Sequence, residues 1–137
     1  MKRKKQFTVL IGLAAAIVLG SAASPPKAPK NQYENLKVLP KDISSKDLQG
    51  IMTDDFEDGL GVDCGFCHAP ASNGHGLDFA SDAKPEKEIA RAMMRMTLTI
   101  NKKFFKASRP MLGSAALTVT CATCHKGVPF PDGSAAR

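Results

Sequence analysis

The chain has 137 residues, 19 of them basic and 13 acidic, for a net charge of +6, with one tyrosine and no tryptophan. That length holds one small domain, and so few aromatic residues leave little for an ordinary core. Four of the 19 basic residues lie within the first five positions; the remaining 15 against 13 acids give a charge of +2, which offers nucleic-acid binding no support.

The N-terminus reads as a secretory signal. Lys2, Arg3, Lys4 and Lys5 make a positive start, residues 7–19 an apolar run shorter than a bilayer span, and Ser21 and Ala23 a small-residue cleavage pattern. Cleavage after Ala23 leaves 114 residues for the bacterial periplasm; membrane contact is expected only if the signal stays uncleaved. No cysteine follows the apolar run to carry a lipid. Residues 24–42, opening Ser24-Pro25-Pro26-Lys27, are expected to form an extended Pro/Lys-rich lead segment, with a folded domain over 43–137.

The first predicted helix runs from about Ser45 to Asp58. Ser44 is its N-cap, Leu48, Ile51, Met52 and Phe56 share a face, and Gly59 and Gly61 end it. Cys64-Gly65-Phe66-Cys67-His68 follows, then a loop with His75 between two glycines. A longer helix is predicted from about Pro85 to Lys106, with Ser81 or Asp82 before it and Pro85 in its first turn. Ile89, Met93, Met96, Ile100 and Phe104 form its apolar stripe, from which Met94 is rotated away. Only a short stretch around Leu117–Thr120 alternates with period two, and Cys121-Ala122-Thr123-Cys124-His125 closes the pattern. The expected fold is mainly α: a helix–loop–Cys-x-x-Cys-His module repeated twice, with little or no sheet.

All four cysteines lie in those two pentapeptides. Cys-x-x-Cys-His is the attachment signature of haem c: two thiols bond the porphyrin edge, and the histidine supplies an axial nitrogen to the iron. A four-cysteine zinc site normally spaces its pairs by about 15–20 residues, whereas 53 residues separate Cys67 from Cys121. A disulfide or thioredoxin-like reading leaves both histidines unexplained. Two covalent haem c groups are therefore expected, held by Cys64, Cys67, Cys121 and Cys124, with His68 and His125 as iron ligands. Methionine is a common opposite ligand in electron-transfer haems. Met52 is the candidate for the first site and Met96, with Met93 as the alternative, for the second. His75 stands as a surface residue that a bis-histidine site would recruit.

Longer stretches carry a family likeness. They are Asn35-Leu36-Lys37-Val38-Leu39-Pro40, Gly61-Val62-Asp63 before the first motif, Asp78-Phe79-Ala80-Ser81-Asp82, Ala90 to Thr97 with Ile100-Asn101, and Val119-Thr120 leading into the second motif with Lys126-Gly127 after it. Over roughly residues 35–131 the chain resembles the photosynthetic reaction-centre cytochrome c subunit family, as a short dihaem member of it. The resemblance implies helix-borne methionine ligands and, in the family's pattern, Met96 just before Ile100-Asn101. The family's subunit is tetrahaem and often lipid-anchored; this chain has two motifs.

The expected function is single-electron transfer between periplasmic or membrane-bound redox proteins, without catalysis. The alternative is a dihaem peroxidase-like enzyme with one open axial position. Nine acids against Lys46 alone over residues 42–82, and nine bases against Glu86 and Glu88 over residues 83–126, make a bipolar chain that favours charge-steered redox partners.

Overall fold

The computed structural model describes residues 33–131. The predicted signal and most of the lead segment lie outside the described residues. The elements in order are helix α1 (Ser45–Gly50), a π-helical segment (Ile51–Asp58), the turn-sized helix α2 (Cys64–Cys67), strands β1 (Ala69–Pro70) and β2 (Leu77–Asp78), the long helix α3 (Pro85–Phe104) and the turn-sized helix α4 (Cys121–His125). The fold is mainly α, as expected. Its sheet is one antiparallel pair, with Ala69 opposite Asp78 and Pro70 opposite Leu77. Leu117–Thr120 forms no strand.

The first helix starts where the sequence places it, with the Ser44 hydroxyl accepting a bond from the Asp47 N–H at 3.1 Å. From Ile51 its register widens. At that junction the Thr53 hydroxyl donates to the carbonyls of Gln49 and Gly50 at 3.1 and 3.2 Å, competing with the ordinary ladder. A wider turn brings residues four apart closer to one line, so Leu48, Met52 and Phe56 all face the same cavity. Gly59 stays right-handed at φ −67°, and it is Gly61, at φ +65°, that turns the chain.

The core is small: Leu39, Ile43, Ile51, Met94 and Leu112 are buried, and Leu36, Val38, Leu98 and Leu117 pack around them. Residues 33–42 thus contribute directly to packing. The turn at Gly113 presses on Ile51, where an added Cβ would lie 2.9 Å from Ile51 Cγ1.

The face of α3 corrects the sequence reading. Arg91, Met94, Thr97 and Asn101 are its buried residues, whereas Ile89, Met93, Met96 and Phe104 are 57%, 42%, 48% and 65% exposed. Periodicity selected the apolar stripe, but polar anchoring sets the helix rotation. Arg91 Nη1 donates to Asp82 Oδ1 at 2.8 Å and Glu88 Oε2 at 2.9 Å, and Nη2 donates to the Asn35 carbonyl at 3.2 Å. The predicted N-cap is also displaced: Lys84 takes that position without a side-chain bond, and Asp82 serves Arg91 instead.

At the other end, Asn101 is fully buried. Its Oδ1 accepts from the N–H groups of Thr118 and Val119 at 2.8 and 3.1 Å, and its Nδ2 donates to the Val119 carbonyl at 2.7 Å. This fork holds the segment leading into α4. Asn101→Ala leaves three partly buried backbone groups without partners, each costing about 1–3 kcal/mol where water does not replace the bond. Urea unfolding should show a loss of about 3 kcal/mol; a loss under about 1 kcal/mol would mean that the fork contributes little.

Candidate functional site

A cavity of about 950 Å³ opens between the first helix, α2 and α3. Pockets for ligands of drug or cofactor size typically measure ~300–1,000 Å³. Its walls include Met52, Cys64, Cys67 and His68, which are four of the residues the sequence singles out, together with Arg91 and Met94. Met94 reaches the wall although periodicity turns it away from the apolar stripe; in the Met-Met pair at 93–94 the two thioethers point about 100° apart around the helix. Residues 33–39 close another side as a strap. That strap is pinned by Lys37 Nζ to Asp82 Oδ2 at 2.7 Å and by Asn35 Nδ2 to Asp82 Oδ1 at 2.9 Å. The hydrogen bond from Lys37 most strongly, then those from Arg91 and the neutral Asn35 amide, hold the Asp82 carboxyl far below the usual carboxylate range.

Each Cys-x-x-Cys-His motif begins in a capped helical turn. The Asp63 carboxylate accepts the Phe66 N–H at 3.0 Å, and Thr120 and Thr123 form a reciprocal capping box. The caps fix two cysteines on one short turn, which is the spacing needed to grip a single edge of a flat group. All four cysteines are free thiols. A hydrogen bond to Glu57, at 3.2 Å from Sγ to Oε1, raises the Cys64 thiol. Burial raises Cys67, and burial with the nearby Asp55 charge pushes Cys121 to about 11. A raised thiol is a poorer nucleophile near neutral pH. Among the described residues no three His, Cys, Asp or Glu side chains come together to hold a metal ion.

The two histidines sit differently. His68 packs edge-on against Phe79, with ring centroids 5.0 Å apart. Its Nδ1 is buried and has no hydrogen-bond partner, and burial with the charges of Lys87 and Arg91 lowers its pKa. The Nδ1 of His125 lies 3.0 Å from the Val128 carbonyl. A carbonyl accepts only, so this nitrogen carries the proton and Nε2 is left as a lone-pair donor.

The second motif is brought against the end of the first helix rather than into the cavity. Gly127 N–H donates to the Gly59 carbonyl at 3.0 Å, and a Cβ on Gly59 would meet Cys121 Cβ at 3.4 Å. Met93 and Met96 stand on the exposed stripe of α3. His75 is exposed in the hairpin loop and is not among the cavity walls.

Comparison with known proteins bears on this arrangement. The family model described as "Photosynthetic reaction centre cytochrome C subunit" matches residues 12–136. A cytochrome c-554 of Chloroflexus aurantiacus is 33% identical over 87 residues, 64% of this chain and 19% of the relative. A photosynthetic reaction center cytochrome c subunit of Rubrivivax gelatinosus is 34% identical over 68 residues, 50% of this chain and 15% of the relative. The aligned stretches thus span less than a fifth of either relative. No solved structure matches the chain.

Proposed function

The chain belongs to the photosynthetic reaction centre cytochrome c subunit family, and from that membership we propose that it is a periplasmic dihaem electron carrier. The observation that carries the proposal is the cavity with Met52, Cys64, Cys67 and His68 in its walls. It offers two thiols, an imidazole with an orphaned buried nitrogen and a thioether, which is the donor set a haem c requires. The second group falls to Cys121, Cys124 and His125, with the Val128 carbonyl fixing the imidazole tautomer. The exposed stripe bearing Met96 is the apolar surface that this group would cover.

Haem c supplies a one-electron couple when bound. The residues around it tether it, exclude water and keep a nitrogen and a sulfur ready to ligate iron. Met52 serves the first site and Met96 the second. Neither role takes up or releases a proton. Export through residues 1–23 places the carrier in the periplasm, where cysteines meet haem. Among the described residues no helix is long and apolar enough to cross a membrane. Its partners are periplasmic or membrane-bound redox proteins, steered by the acidic stretch of residues 42–82 and the basic stretch of residues 83–126.

Optical and near-infrared titration of the exported holoprotein tests this reading. Two electrons per chain and low-spin iron at both sites are expected, with a weak near-infrared sulfur-to-iron band in the oxidised protein. Met52→Ala and Met96→Ala should each remove half of that band, and Met94→Leu should leave it whole. Loss of the band in Met94→Leu would transfer the first ligand from α1 and its π-helical extension to α3. High-spin iron at either site of the unmodified protein, with turnover of peroxide, would replace the carrier by a haem enzyme.

A further inference from the structure

We propose, resting on the dihaem reading above, that Asp82 is a positioning residue: it holds residues 33–39 shut over the first site and so keeps outside ligands from displacing Met52. Access decides what such a site does. Iron held by histidine and methionine passes electrons, whereas iron that exchanges its thioether for a small molecule becomes a ligand-binding centre.

Residues 33–39 all line the cavity, and the strap they form is held by different forces along its length. Its inner end is apolar: Leu39 is buried, and Leu36 and Val38 pack against the same core. Beyond it the Pro40 carbonyl accepts the Ile43 N–H at 3.3 Å. The outer part is tied by polar groups. Lys37 Nζ reaches Asp82 Oδ2 at 2.7 Å, and Asn35 Nδ2 reaches Asp82 Oδ1 at 2.9 Å. Asn35 Nδ2 also donates to the Ala80 carbonyl, and the Asn35 carbonyl accepts from Arg91 Nη2 at 3.2 Å. Asn35 has φ +60°, a left-handed bend that asparagine tolerates better than most residues. On the far side the Tyr33 hydroxyl donates to Ser45 Oγ at 2.6 Å, so the strap spans from α1 to the loop ahead of α3. Met52 lines the same cavity, and a path opened beneath the strap leads into the space that Met52 borders.

Asp82 is where these ties converge. From the α3 side its carboxylate meets Arg91 Nη1 at 2.8 Å and Lys87 Nζ at 3.7 Å. Both of those cations are well buried, and Lys87 is further fixed by donating to the Ser81 and Phe79 carbonyls at 2.6 and 2.8 Å. The carboxylate therefore stands as a fixed acceptor toward the strap. Glu88, shared with Arg91 at 2.9 Å, lies 4.0 Å from Lys37 and adds a second anion facing the same cation. On the strap side the bonds are open to water, with the Lys37 and Asp82 side chains 45% and 40% exposed. Exposed ties of this kind are individually weak. They suit an outer segment that opens locally while the apolar inner end stays docked.

Ligand exchange on the oxidised holoprotein, with haem counted on the same sample by mass, tests the assignment. Imidazole is added and the decay of the near-infrared sulfur-to-iron band is followed; Met52→Ala identifies the half of the band that belongs to the first site. In Lys37→Met that half should decay about threefold faster, and in Lys37→Met with Asn35→Gly about tenfold faster. Glycine keeps the left-handed bend and the carbonyl that Arg91 holds. The other half should decay at its unmodified rate throughout, and Lys37→Arg, which keeps a cation for Asp82, should restore the slow decay. Asp82→Asn should speed the same half, and adding Lys37→Met to it should bring little more, because the pair is already broken. An unmodified first-site rate in the double strap variant, or equal acceleration of both halves, overturns the role of Asp82. A haem count below two, or a band that Met52→Ala leaves whole, overturns instead the reading on which that role rests.

Discussion

Cys64→Ala combined with Cys67→Ala should yield a chain lighter by one haem that no longer unfolds cooperatively. The reason is the size of the space the tethered group is proposed to fill. Among the described residues the buried apolar core is five side chains, Leu39, Ile43, Ile51, Met94 and Leu112, set beside a cavity of about 950 Å³. Cavity formation in a packed core costs about 24 cal/mol per Å³, so a dry void of this size would exceed the ~5–15 kcal/mol stability of a typical domain. The cavity must therefore be filled, by the macrocycle or by collapse and water. The corresponding change at Cys121 and Cys124 should also remove one haem but keep a cooperative transition, because those residues lie outside the cavity. Intact mass and thermal unfolding followed by circular dichroism would read both effects. Two haems retained in the first variant would refute the attachment assignment, and equal loss of cooperativity in both would remove the asymmetric role of the cavity.

Gly61→Ala should be nearly as damaging through the backbone alone. Gly61 has φ +65°, where a Cβ costs roughly 1–2 kcal/mol. The added Cβ would also lie 3.1 Å from the Gly127 carbonyl carbon and closer still to its oxygen. Both obstacles are main chain, so neither can rotate aside. Gly74 is the matched control, at φ +75° with nothing within 4 Å of a Cβ. Equilibrium denaturation should show Gly74→Ala losing about 1–2 kcal/mol and Gly61→Ala about 3 kcal/mol or more. Equal losses would mean that the seam between the end of the first helix and Gly127 yields easily.

Much of this architecture is legible in the residues. Ser44, Pro85 and Gly61 mark helix ends because capping and φ preferences act locally. The cavity's four donors follow from the spacing of one motif and one helix. The face of α3 is not legible by the same means. A periodic apolar stripe indicates burial only when the protein itself supplies the cover. Here Arg91 and Asn101 form bonds to Asp82, Asn35 and residues 118–119 that outweigh the exposure of Ile89 and Met96. Those partners lie 9 to 56 positions away in sequence, beyond the reach of a periodicity argument. The π-helical widening after Gly50 is equally hidden, since neither periodicity nor a capping residue marks it.

The fork at Asn101 also bears on how freely the chain can vary. Its position demands an acceptor for two N–H groups and a donor for two carbonyls, those of Val119 and Thr97, both on a stem one methylene long. Aspartate accepts but cannot donate, and would bury a charge beside the Val119 and Thr97 carbonyls. Glutamine has both ends on a stem one carbon too long, and serine and threonine have a single oxygen for four partners. Of the twenty side chains one fits. Random mutagenesis screened for folded, coloured protein should therefore leave position 101 invariant while Thr118 and Val119, which contribute only backbone atoms to the fork, accept many replacements.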